Sequence, residues 1–80
     1  MGDFVLDFPL CCLGVGKSAV VKSLSAHGAL RRRLSDIGVV EGATVKCVGR
    51  SPLGDPAAYL VRGAVIAIRD CDSRSVLVRG

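Results

Sequence analysis

The stretch TVKCVGRSPLGDPAAYLVRGAVIAIR, residues 44–69, decides the fold. It is rich in β-branched and aliphatic residues, and two short segments of turn residues interrupt it. Such runs, bounded by Gly and Pro, are typical of short β-strands. Each proline of the rigid connector PLGDP fixes its own φ, and Gly63 marks a tight turn. The pattern predicts three strands, at residues 44–50, 57–62 and 64–69.

The sequence on either side adds two strands and one helix. Residues 18–24 and 75–79 are two further strand candidates, and DCDSR, residues 70–74, is typical of a turn or short 3-10 piece. The stretch ALRRRLSDIG, residues 29–38, predicts a helix between the first two strands, because its apolar residues recur at helical spacing and Gly38 follows as a C-terminal cap. The apolar stripe consists of Leu30, Leu34 and Ile37, and Arg32 and Asp36 are expected to pair on the exposed side.

Length and composition favour one small domain of mainly β structure. The chain has 80 residues, of which half are hydrophobic and ten are glycine, and its net charge is +4. A small sheet with two edges and a bare face gains by curling, so we expect a small barrel of about five strands capped by the helix. The sequence has neither an apolar run of about 18 residues nor a secretory leader, which predicts a cytoplasmic protein that does not insert into a membrane.

Gly16-Lys17-Ser18 resembles the end of a phosphate-binding loop. That motif requires glycine five residues before Gly16, where this chain has Cys11, and it places the lysine at the start of a helix. Here β-branched Val20 and Val21 follow instead. We therefore interpret Gly14 and Gly16 as turn residues that lead into the first strand.

Four cysteines and one histidine are the candidate metal ligands. They lack the paired spacing of a tetrahedral zinc site, and Cys47 is expected to face the core. His27, Cys71 and Cys11 are left as surface ligands for a weakly bound Fe(II) or Zn(II), although isolated polar turn residues are the simpler interpretation. No combination of residues typical of a catalytic site is evident, so we expect no enzyme activity.

The run Arg31-Arg32-Arg33 is the most distinctive charged feature. On a helix these side chains spread over about 200°, so they cannot all face one ligand. They indicate either a solvated helix face or a surface that docks onto an acidic partner. Nucleic acid is a weaker alternative, because Tyr59 is the one aromatic residue in a predicted strand and base stacking usually needs more.

Taken in order, these segments resemble the FeoA family, the small cytosolic companions of the bacterial ferrous-iron transporter FeoB. The similarity comprises an RRRL-x-D-I-G helix end, a following turn glycine, R-x-PLGDP, then VRG and a strand that ends in I-R. It extends from residue 9 to residue 79, and residues 1–8 are expected to be an N-terminal extension.

The resemblance implies an SH3-like barrel and a role in ferrous iron uptake. It further implies an interaction module that modulates a FeoB-type membrane GTPase transporter through its cytosolic part. A divalent-metal sensor is the alternative, and no nucleic acid is expected as a partner; a homo-oligomer is compatible with the sequence. We expect the partner to contact Arg31, Arg32, Arg33, Leu53, Gly54 and Asp55.

Overall fold

The computed structural model describes residues 6–80. It contains six strands and one helix of more than two turns, together with a single-turn helix and a 3-10 turn. The strands are β1 (Asp7–Pro9), β2 (Ser18–Leu24), β3 (Thr44–Arg50), β4 (Ala57–Val61), β5 (Ala64–Ile68) and β6 (Val76–Arg79). The helices are α1 (Gly28–Asp36) and α2 (Asp70–Ser73), and the 3-10 turn is Leu10–Cys12.

All six strands belong to one antiparallel sheet in the order β1-β6-β2-β3-β4-β5. Bulges interrupt the register in β2 between Val21 and Ser23 and in β3 between Cys47 and Gly49. A bulge bends its strand and increases the local twist, so these two let the sheet curl around one core. Among residues 6–80 the ladder leaves β1 and β5 as the two edge strands.

The hairpin between β4 and β5 closes through a two-residue turn. Val61 pairs with Ala64, and both turn residues, Arg62 and Gly63, have positive φ angles of 52° and 81°. This is the type I′ geometry whose twist matches that of the flanking strands. The sequence predicted the turn at Gly63 but placed Arg62 in the strand.

Helix α1 packs its apolar stripe onto the sheet. Leu34 is buried, and Leu30 and Ile37 are partly buried against the same core. Gly38 follows the helix with φ of 99°, and a Cβ at this position would lie only 2.9 Å from Cδ of Arg62. Both the left-handed backbone and the close contact therefore require glycine here, which confirms the predicted C-terminal cap.

The core lies between the inner face of the sheet and α1. Its buried side chains are mostly aliphatic, as the composition predicted: Leu10, Leu13, Ala19, Val21, Ala26, Leu34, Val39, Val45, Cys47, Ala57, Tyr59, Val61, Ile68, Val76 and Val78. Val45 and Cys47 point inwards and Thr44 and Lys46 outwards, so the alternation expected for β3 is confirmed. Cys47 is fully buried, where a free thiol packs as a small apolar group.

The prediction of five strands missed β1. Asp7 and Phe8, which the sequence placed in an extension, pair with Arg79 and Val78 of β6, while residues 1–5 lie outside the described part of the chain. Three residues are too few for an alternating pattern to be recognised. The bounds of β2 and β3 agree with the prediction, and those of the other predicted elements differ by one or two residues.

Two smaller predictions can also be compared with the structure. The ion pair expected between Arg32 and Asp36 is wrong, because the ion pairs among residues 6–80 do not include it and α1 instead pairs Arg33 with Asp72. Lys17 lies in a turn that leads into a strand and opens no helix. This confirms the interpretation of Gly16, whose φ is 86°, as a turn residue.

Candidate partner-binding surface

The loop between β3 and β4 presents one apolar side chain to solvent. Ser51 to Gly54 form a β-turn closed by a hydrogen bond from the amide of Gly54 to the carbonyl of Ser51, at 2.8 Å. Pro52 occupies the second position of this turn, where its fixed φ is favourable. Leu53 follows at the tip and is 94% exposed. The turn therefore holds a large apolar side chain in water on a backbone of restricted freedom.

Arg50 attaches this turn to the rest of the molecule. One guanidinium nitrogen, Nη2, donates to the carbonyls of Cys11 at 2.8 Å and Leu13 at 2.9 Å. The other, Nη1, donates to the carbonyl of Gly54 at 3.5 Å and lies 3.8 Å from Oδ1 of Asp70. Arg50 thus joins the end of β3 to three other segments. Arg50 was not among the site residues predicted from the sequence, because the carbonyls that it binds are 37 and 39 residues away along the chain.

Helix α2 connects this loop to the arginine-bearing helix. Its first amide, that of Asp70, donates to Oδ1 of Asp55 at 3.0 Å. Near its other end, Asp72 accepts a 2.7 Å hydrogen bond from Nη2 of Arg33. The two regions predicted to contact a partner are therefore held by the same single-turn helix. We call the loop 52–56, α2 and the exposed side of α1 the contact surface.

The three consecutive arginines have three different environments, as their spread around the helix requires. Arg31 donates from Nη1 to the carbonyl of Leu24 at 3.1 Å, on the β2 side of α1. Arg33 forms the ion pair with Asp72 across to α2. Arg32 is exposed and takes part in none of the ion pairs or side-chain hydrogen bonds found in residues 6–80. Arg32 is therefore the one of the three whose side chain has neither an acidic nor a carbonyl partner among residues 6–80.

The predicted metal ligands lie on different elements. His27 precedes α1 and is exposed, with no capping hydrogen bond from its side chain. Cys71 on α2 is exposed, and its Sγ lies 3.7 Å from Oδ1 of Asp72. Cys11 is half-buried in the 3-10 turn, where burial, and then the neighbouring Cys12 thiol, raises its pKa. A raised thiol pKa reduces the thiolate fraction at neutral pH, which weakens Cys11 as a metal ligand.

These donors do not fit a resident zinc or iron ion. Within the described part of the chain, His, Cys, Asp and Glu side chains form no group of three or more that could hold a metal ion. A structural zinc site needs four ligands and a catalytic one three. Residues 6–80 therefore supply no closed coordination sphere.

Tyr59, the aromatic residue considered for base stacking, is fully buried. Its hydroxyl donates to the carbonyl of Leu10 at 3.4 Å, and burial raises its pKa. Base stacking requires an exposed ring, so Tyr59 packs in the core and is not available to stack on a base.

The described residues also contain no helix with the length and apolar character that a membrane crossing requires.

The fold and this surface define a class: a small SH3-like β-barrel that presents a rigid loop and a short basic helix. The family model of the FeoA domain matches residues 8–80, and the chain belongs to the FeoA family. This confirms the resemblance found in the sequence.

Solved structures of two FeoA proteins are similar to this chain. The FeoA protein of Chlorobium tepidum has a solved structure that is 37% identical, with a TM-score of 0.83 over 89% of this chain and 68% of that one. The FeoA of Stenotrophomonas maltophilia, solved in complex with zinc and described as an SH3 domain protein, is 33% identical, with a TM-score of 0.78 over 89% of this chain and 88% of that one.

A curated relative, the Fe(2+) transport protein A/Fe(2+) transporter FeoB fusion protein of Porphyromonas gingivalis, is 30% identical over 66 residues. The match covers 82% of this chain but only 8% of that protein.

Proposed function

We propose that this chain is an interaction module of ferrous iron uptake. It acts in the cytoplasm, where it binds the cytosolic part of a FeoB-type membrane GTPase transporter and modulates it, and it catalyses no reaction itself. The Porphyromonas gingivalis relative supports this role, because there an FeoA segment and a FeoB transporter are joined in one chain. Fusion of two domains is a means of raising their effective concentration for each other.

The exposure of Leu53 is the observation that carries the proposal. When a partner covers an exposed apolar side chain, the removal of that surface from water lowers the free energy of the complex. The rigid turn beneath Leu53 reduces the conformational entropy that is lost on binding. Gly54 and Asp55 complete the turn and link it to α2. We therefore assign Leu53 as the central anchor of the contact and the backbone around it as its support.

Arg32 supplies the charged part of the contact. Its side chain has no acidic partner within residues 6–80, so an acidic partner surface gains an attraction without first breaking an ion pair. Charges at the rim of an interface act mainly on the association rate and its salt dependence. Arg33 contributes less, because Asp72 already balances its charge, and Arg31 is turned towards Leu24.

The anchor is tested by titrating this protein against the purified cytosolic part of the transporter. Leu53→Ala is expected to weaken binding about tenfold, the loss typical of a central apolar contact. The matched control is Val15→Ala, which truncates another exposed side chain in a different turn, and it should leave the affinity unchanged. Equal affinities for wild type and Leu53→Ala would reject this surface.

The charge is tested by Arg32→Glu in the same titration. We expect a slower association rate and a weaker dependence on salt, with little change in dissociation. Lys22→Glu, the same charge reversal on β2, is the control and should behave as wild type. An equal effect of both variants would mean that net charge, and not this position, governs binding.

A second candidate function is weak binding of Fe(II) or Zn(II) at the surface. The zinc complex of the Stenotrophomonas maltophilia relative favours it, and so does the position of Cys71 beside Asp72. His27 and Cys11 are the other candidate ligands. Equilibrium dialysis measures it directly: binding below millimolar concentration that is lost in Cys71→Ser supports the site, and no binding in that range excludes it.

A further inference from the structure

The outer edge of β5 carries backbone groups without a strand beside them. In a two-residue hairpin the closing pair, here Val61 and Ala64, exchanges hydrogen bonds, and bonded pairs recur at every second position. The bonded residues of β5 are therefore Ala64, Ile66 and Ile68. Val65 and Ala67 direct their amide and carbonyl groups away from β4, and none of the loop hydrogen bonds within residues 6–80 reaches them.

This edge lacks the features that usually prevent strands from pairing. Natural edge strands are short, or they carry charge, proline or a bulge. β5 has five residues, all of them apolar, and its pairing with β4 is regular. Val65 is 63% exposed and Ala67 is also exposed. The strand is thus an uncharged template with an uninterrupted register.

Helix α1 does not cover the edge. A groove of about 860 Å³ separates the helix from β5, with Leu30, Leu34 and Ile37 on one side and Ile66 to Ile68 on the other. An added strand alternates its side chains between the two faces of the sheet, so half of them would enter this groove. Arg33, Arg69, Cys71 and Asp72 also line the groove, so only its aliphatic part suits the apolar side chains of an added strand.

We propose that β5 of a second copy of this chain adds to β5 as an antiparallel strand, centred on Ile66. In this register Val65 faces Ala67 of the other copy, and these are the residues with outward-facing backbone groups. Two equivalent bonded pairs result, as the two-fold symmetry of a homodimer requires. The two sheets then form one continuous sheet, in which the β5 edge of each copy is covered and β1 remains the edge at either end. This inference does not depend on the proposed transporter contact.

The charges at the ends of β5 favour the same register. Arg62 precedes the strand and Asp70 follows it, each four residues from Ile66. Centring the pair on Ile66 places Arg62 of one copy at the end of the ladder nearest to Asp70 of the other, twice by symmetry. Asp70 is the first residue of α2, and its Oδ1 also lies 3.8 Å from Nη1 of Arg50 in its own chain. Arg69 falls opposite Gly63, so no two like charges face each other. A strand that complements itself in both pattern and charge argues for a second copy as its occupant.

Sedimentation velocity over a range of protein concentrations tests the dimer. Wild type is expected to dimerise, and Val65→Lys should weaken the dimer by at least about tenfold, because a lysine on an edge strand opposes pairing. Val20→Lys is the matched control: it changes an exposed valine on β2, an interior strand of the sheet, and should leave dimerisation unchanged. Unfolding in urea verifies that both variants remain folded.

A second pair of variants tests the register. Arg62 has positive φ, a conformation that Asp and Asn both tolerate, so Arg62→Asp and Arg62→Asn differ in charge and not in backbone strain. We expect the dimer to be weakest in Arg62→Asp, intermediate in Arg62→Asn and strongest in wild type at low salt. The difference between the two variants should vanish at 1 M salt, where the screening length is about 3 Å.

Three results would overturn the proposal. A protein that stays monomeric up to millimolar concentration has no self-pairing edge. A dimer that Val65→Lys and Val20→Lys weaken equally is held by the outer sheet face instead. A monomer whose β5 amides become protected from hydrogen exchange only when a transporter fragment is added would show that the edge accepts a foreign strand and not a second copy.

Discussion

The two edges of the sheet are built differently. β1 is three residues long, contains Pro9, and carries Asp7, whose carboxylate accepts a 2.6 Å hydrogen bond from Nε of Arg79. β5 is five residues long and wholly aliphatic. Charge, proline and shortness each discourage a further strand, so β1 is a protected edge and β5 an open one. An edge strand can thus lack a neighbour and still resist pairing, as β1 does, and only β5 is suited to pair with another chain.

The largest expected effect concerns Leu10, directly after the protected edge. Leu10 is fully buried, so Leu10→Ala leaves a cavity and should lower the free energy of unfolding by about 3 kcal/mol. Val65→Ala on the open edge removes an exposed side chain and should change the stability of the monomer by less than about 0.5 kcal/mol. Urea denaturation at low protein concentration measures both. Similar losses in the two variants would mean that the segment after β1 is not anchored in the core by Leu10.

The next effect concerns Arg50, which holds the segment after β1. Arg50→Ala leaves the carbonyls of Cys11 and Leu13 without their charged donor and should lower the free energy of unfolding by about 2 kcal/mol. Hydrogen exchange is expected to increase around residues 10–13 but not in β4. Arg74→Ala, an exposed arginine outside the ion pairs found in residues 6–80, is the control. Uniform exchange throughout the sheet would contradict a local role.

The smallest effect depends on pH and concerns the ion pair of the protected edge. Hydrogen bonding to Arg79 holds the pKa of Asp7 below its ordinary value of 3.8. A carboxyl with a lowered folded-state pKa contributes stability above its unfolded pKa, and that contribution is lost as the pH falls through the folded value. Stability should therefore decrease below about pH 4 in wild type, and less steeply in Asp7→Asn.

Asp36→Asn is the control for this acid unfolding series, because Asp36 is exposed and belongs to none of the ion pairs in the described residues. Its stability profile should follow that of wild type. If Asp7→Asn also follows wild type, the contact between Asp7 and Arg79 does not hold the edge in solution.

The central strands, the helix and the family could all be predicted from the amino-acid sequence. Three local signals were sufficient: the alternation in β3, the turn residues at 52–56 and at Gly63, and the apolar spacing in α1. In each case the local backbone preference agrees with the final structure. The same signals excluded a phosphate-binding loop at Lys17. Leu53 was also predictable as an exposed residue, because it lies between two prolines in a turn.

Contacts between residues that are distant in sequence could be identified only from the folded chain. β1 exists as a strand because it pairs with β6, about seventy residues away in sequence. Arg33 forms its ion pair with Asp72 of α2 and not with an acidic residue of its own helix. Arg50 acquires its role from carbonyls that are 37 and 39 residues away in sequence. The open edge at β5 likewise follows from strand order. Such features depend on long-range closure of the sheet, for which one sequence carries no periodic signal.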